Sequence, residues 1–93
     1  MSPVIVELHD TSHPEITKGG TSADELFAVR LATLEALRTA AEKLHEMAPN
    51  RRDYQTHVTD WNHAFELHAK RREAIEDMMK AIESELGVID EKR

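Results

Sequence analysis

Residues 54–89 read YQTHVTDWNHAFELHAKRREAIEDMMKAIESELGVI. Within them an apolar residue recurs at alternating steps of four and three: Tyr54, Val58, Trp61 and Phe65, then Ile75, Met79, Ile82, Leu86 and Ile89. The two positions between these runs hold His68 and Arg72. Such spacing keeps one seam along one side of a long helix. The stretch therefore predicts coiled-coil-like helix packing, interrupted once by polar residues.

Working toward the N-terminus, Ala48-Pro49-Asn50-Arg51 separates this helix from another. Proline disfavours a helical residue before it, and Asn50 followed by Asp53 offers a new helix cap. Upstream, Ser22 followed by Glu25 is a capping-box pattern. The expected helices span about 22–48 and 51–87, with Gly87 as the natural terminator of the second. A connection this short predicts an antiparallel two-helix hairpin. A turn centred near residue 51 would set His45 level with His57 and Glu42 level with Asp60.

The first helix is apolar on two adjoining stripes. Leu26, Val29, Leu37, Ala40, Leu44 and Met47 lie along one, and Phe27, Leu31, Leu34, Ala41 and Ala48 along the other. A helix facing only its hairpin partner needs one stripe, so a second neighbour is implied. The second helix is also longer, and its expected overhang of roughly 15 Å carries Met78, Met79, Ile82 and Leu86. The shared interior is expected to contain Leu34, Ala41, Leu44, Val58, Trp61 and Phe65. Residues 1–20 differ from the rest. Val4, Ile5, Val6 and Leu8 favour strand, Pro3 and Pro14 break helices, and Gly19-Gly20 closes the segment. They read as an extended N-terminal arm preceding a helical domain over 21–93.

Composition narrows the function classes. The chain has 93 residues, enough for one small domain whose core is marginal without help. A formal net charge of −6 argues against nucleic acid as a partner. The basic groups Arg51-Arg52 and Lys70-Arg71-Arg72 have acidic neighbours and read as solvated helix faces. No apolar stretch approaches the ~18 residues that span a bilayer, so no membrane partner is expected. The N-terminus lacks a secretory signal pattern. The expected location is cytoplasmic, although export by a dedicated machine or incorporation into a virion leaves no such mark. With no cysteine, disulfides and thiolate metal sites are absent.

Six histidines raise the question of metal. Glu42-x-x-His45 and His57-x-x-Asp60 on facing helices would place two imidazoles and two carboxylates in one layer, the arrangement of carboxylate-rich metal bundles. Those four residues flank the apolar seam, however, so solvated side-chain pairs are the expected reading and no cofactor is expected. His68 and Arg72 stand where apolar residues belong. Polar residues there cost stability and can fix register or oligomeric state. Trp61 reads as core, or as an aromatic anchor at an interface.

The stretch from Trp61 to Ile82, through Asp77-Met78-Met79, loosely resembles type III secretion needle subunits, which are also two-helix hairpins with a Pro/Asn turn. That resemblance implies an assembling subunit. The turn is shorter here and a charged tail continues past Gly87. Secreted WXG-type hairpins have a similar length, but their Trp-x-Gly turn is missing. The sequence is identified as a member of neither family. Taken together, the residues predict an all-α, coiled-coil-like hairpin with an extended arm, completing a bundle by oligomerisation. The expected function is non-enzymatic: assembly through contact with itself, as a dimer or higher oligomer, and with another protein. The interface is expected to use Phe27, Leu31, Leu37, Trp61, His68, Arg72, Met78, Met79, Ile82 and Leu86. The competing expectations are a metal-binding bundle and a secretion-apparatus subunit or chaperone.

Overall fold

The computed structural model describes residues 7–93. It is all-helical: α1 spans Ala23–Glu46, a single 3-10 turn spans Arg51–Tyr54, and α2 spans Val58–Glu91. Among the described residues there is no strand. The expected strand-forming group Val4-Ile5-Val6 lies outside those residues, and Leu8 is half exposed in a turn.

The start of α1 follows from its cap. The Ser22 hydroxyl accepts from the Glu25 backbone N–H at 3.1 Å, and Asp24 and Glu25 occupy the positive end of the helix dipole. Upstream, the chain turns tightly between Thr17 and Gly20, closed by a 3.2 Å backbone hydrogen bond. Gly19 sits at φ 97°, the left-handed conformation that such a turn demands of its third residue.

The connection differs from the tight turn expected. Asn50 does cap, its Oδ1 accepting from the Arg52 N–H at 3.1 Å, but it starts only the 3-10 turn. Gln55, Thr56 and His57 interrupt the helix, and no side chain caps α2 at His57. The interruption has a packing reason. In a continuous helix Tyr54 and Trp61 would lie about 10 Å apart along the axis. With the break, their ring centroids approach to 6.0 Å and the Arg51 guanidinium sits 5.3 Å above the Trp61 ring. The connector thus folds back along the first turns of α2.

A long connector frees the register. Arg30 pairs with Glu85, Arg38 with Glu83, and Asp24 with Arg93. A turn centred at residue 51 would have set Arg30 against Arg72 and Asp24 against Met78. The helices have slid past that register by about four turns, or roughly 20 Å. The C-terminal end of α2 therefore lies level with the start of α1, and Arg93 stacks 4.3 Å above the Phe27 ring. The expected Met78–Leu86 overhang is corrected by this slide. Leu86 is buried, and Met78, Met79 and Ile82 are half-buried.

The seam in α1 is Ala23, Phe27, Arg30, Leu34, Leu37, Ala41 and Leu44, a strict alternation of four and three in which every residue is at least half-buried. In α2 it runs through Trp61, Ala64, His68, Ile75, Met78, Ile82, Glu85 and Ile89. Toward its N-terminal end this departs from the seam expected from sequence, taking Ala64 in place of Phe65, whereas toward its C-terminal end the expected Met79 and Leu86 are half-buried and buried as well. Val58 and Phe65, expected inside, are 56% and 60% exposed. The fully packed centre comprises Leu34, Ala81, Leu86 and Ile89.

α2 also continues through Gly87 to Glu91, beyond its expected end. Ile89 is only 1% exposed, and its burial contributes about 1.5–3 kcal/mol. That outweighs the roughly 1 kcal/mol that a helical glycine costs relative to alanine. A Cβ built at Gly87 meets nothing within 4 Å. Gly87→Ala should therefore stabilise the fold by about 0.5–1 kcal/mol, read as a higher urea midpoint with an unchanged slope. A lower midpoint would show that α2 does not run helically through this position.

Candidate interaction surfaces

Glu85 is the one buried charged residue among those described. Its Oε1 accepts from Arg30 Nε at 2.8 Å, and its Oε2 accepts from the Ser12 backbone N–H at 3.1 Å. Arg30 also donates through Nη1 to the Leu26 carbonyl at 3.3 Å. Three segments, α1, α2 and the arm, thus meet on one carboxylate, ringed by the packed centre. Among the described residues no buried side-chain polar atom lacks a partner. Taking two charges out of water is unfavourable unless their hydrogen bonds are met, and here both carboxylate oxygens are engaged.

A cleft of about 460 Å³ lies under the connector. Met47, Pro49 and Tyr54 wall one side, and Asp60, His63, Leu67, His68 and Arg71 the other. His68, expected in the apolar seam, is half-buried here, while Arg72 is exposed. The paired charges within the packed seams are Arg30 and Glu85.

The four candidate metal ligands are not brought together. Glu42 and His45 are exposed near the end of α1, and His57 and Asp60 are exposed at the start of α2. The slide in register removes the level pairing that the layer required. Among the described residues no three His, Asp or Glu side chains are placed to hold a metal ion.

The expected interface residues divide. Phe27 and Leu37 are half-buried within the hairpin, with the α2 residues described above. Trp61 is half-buried between Tyr54 and Phe65, its ring centroid 6.0 Å from each. Leu31 is 38% exposed. The larger exposures occur elsewhere: Val29 at 66% and Met47 at 63%, both on the first of α1's two apolar stripes. Among the described residues no helix is long and apolar enough to cross a membrane. Compared with protein-family models, curated proteins and solved structures, the chain matches none.

The Arg30–Glu85 pair had a readable signal. Arg30 is the one charged residue on the α1 seam, and Glu85 is the one acidic residue on the alternate α2 line. Opposite charges on two largely apolar seams pair when the register allows it. Glu85→Ala should strand Arg30 and cost about 1–2 kcal/mol, less than a fully buried pair would because the Arg30 side chain stays 20% exposed. Arg30→Met combined with Glu85→Leu should recover most of that loss, because a well-packed apolar pair can replace a buried ion pair. Urea unfolding of the native, single and double variants measures both. A double variant as weak as the single one would mean that the pair is not what binds the two seams.

Proposed function

We propose that this chain is a non-enzymatic assembly protein, a helical unit that acts by burying its surface against protein. One observation carries the reading: the chain exposes 7333 Å². A compact chain of its 10.6 kDa would expose about 5,500 Å². Its radius of gyration of 18.3 Å likewise exceeds the roughly 12 Å of a compact chain of this length. The irregular arm contributes to the surplus, but large apolar side chains on both helices contribute too.

Among the described residues the buried apolar ones number four, Leu34, Ala81, Leu86 and Ile89. At about 1.5–3 kcal/mol for each large side chain, they offset only a small part of the conformational entropy of ordering two long helices. A hairpin of this kind gains its stability from neighbours. That suits a scaffold or structural subunit rather than a free-standing domain.

Urea unfolding followed by far-UV circular dichroism, at a dilution where the solution mass is that of one chain, tests this. The single chain should unfold over a broad transition with less than about 3 kcal/mol of stability, below the range of self-sufficient domains. A cooperative transition with 5 kcal/mol or more, typical of complete folds by the same rough measure, would show the hairpin to be complete alone and would overturn the reading.

A further inference from the structure

The arm carries an ordered turn with an apolar tip. Two hydrogen bonds close it: the Asp10 N–H donates to the Glu7 carbonyl at 3.0 Å, and the Glu7 N–H donates to Asp10 Oδ2 at 2.9 Å. Leu8 sits within this turn, half exposed, with an acidic residue on either side. A large apolar side chain held out to water by a closed turn contributes little to its own fold. In sequence, Val4-Ile5-Val6 just before it are apolar as well.

The cleft under the connector has the complementary character. Its walls include the apolar Met47, Ala64 and Leu67, and His68 and Arg71 stand at one end. Among the described residues Arg71 has no ion-pair partner. Asp60, the one acidic residue of the cleft, is eleven positions from Arg71 along α2, about 16 Å away. The span from Met47 to Arg71 holds every cleft residue and carries four Lys or Arg against three Asp or Glu. The net charge of −6 therefore arises elsewhere in the chain.

Resting on the assembly reading, we propose that the Glu7–Asp10 turn of one copy enters the cleft of a second copy. Leu8 lies on Ala64 and Leu67 there, and the Glu7 carboxylate faces Arg71. The chain's own cleft is out of reach. Ser12 is held on Glu85, and Leu67 precedes Glu85 by eighteen positions on α2, about 27 Å. Leu8 is four positions from Ser12 and extends at most about 14 Å from it. The arm therefore stays on its own hairpin and offers Leu8 to a neighbour. The cleft volume of about 460 Å³ suits a few inserted side chains, and Arg71 at its end selects an acidic segment over a basic one. Arm and cleft are different surfaces, so the contact is heterologous: each copy can give one arm and accept another.

Light scattering at high micromolar concentration compares the native chain with Leu8→Glu, Met47→Glu, Arg71→Glu and Val29→Glu. All four positions are exposed, so circular dichroism should show unchanged helix content. The native chain should have the mass of two chains or more, and so should Val29→Glu, which lies outside the cleft. Leu8→Glu loses only the arm contact, and Met47→Glu and Arg71→Glu lose only the cleft; each should have the mass of one chain. Mixed in equal amounts, Leu8→Glu and Met47→Glu should form a complex of two chains, because the intact cleft of the first accepts the intact arm of the second. Leu8→Ser and Met47→Ser repeat the mixing if a glutamate variant loses its helices. A native chain of single mass, native mass in Leu8→Glu or in both cleft variants, loss of association in Val29→Glu, or a mixture that stays at single mass would each overturn the inference. Each of these leaves the assembly reading standing, with other surfaces or another partner, since that reading fails only if the single chain proves stable.

Discussion

The carboxylate of Glu85 is the point through which the three segments of the chain are tied together. Arg30 holds it from α1 and the Ser12 N–H holds it from the arm. Apolar seams alone tolerate sliding, because one leucine layer resembles the next. A buried ion pair does not, since a register that separates its partners leaves two uncompensated charges in a dry environment. The pair therefore selects one register among several of similar hydrophobic content. The outer ion pairs, Arg38–Glu83 at 3.8 Å and Arg93–Asp24 at 3.1 Å, fit that register but are too exposed to determine it.

From that register the rest of the shape follows. With the C-terminal end of α2 level with the start of α1, the extra length of α2 projects at the opposite end. There the connector supplies the cover that α1 cannot. Pro49, Tyr54 and Arg51 lie over the face carrying Trp61 and Leu67. The cover is incomplete, so a cleft remains beneath it and Phe65, 6.0 Å from the Trp61 ring, stays exposed. The helical break at residues 55–57 is thus part of the packing: it converts a would-be first turn of α2 into a lid over its own aromatic residue.

Helix number, direction and the N-terminal cap were legible in the sequence because they depend on local chemistry. Ser22 with Glu25 fixes where α1 begins, and Pro49 ends it, whatever lies elsewhere. The register was not legible, because it depends on which charges meet across 55 residues of chain. The alternate lines Trp61-Phe65-Arg72 and Trp61-Ala64-Arg71 share every seventh position, and hydrophobicity alone favours the one with Phe65. The structure takes the other at Ala64, which is half-buried while Phe65 is exposed, and buries both lines toward the C-terminal end, where Glu85 lies beside Leu86. The competing histidine and carboxylate layer depended wholly on register, and the slide leaves Glu42, His45, His57 and Asp60 apart and exposed. Gly87 misled for a related reason. A glycine ends a helix only when nothing beyond it gains by continuing, and Ile89 gains by being buried.

The inner seam of α1 contains Arg30 and so accepts only a surface offering a carboxylate at the matching height, which the α2 of the same chain provides. Val29, Thr33 and Ala40, exposed on the adjoining side, carry no charge, so ion pairing does not select what lies against them. Charge therefore fixes how the hairpin closes on itself, and it does so from one position on each helix.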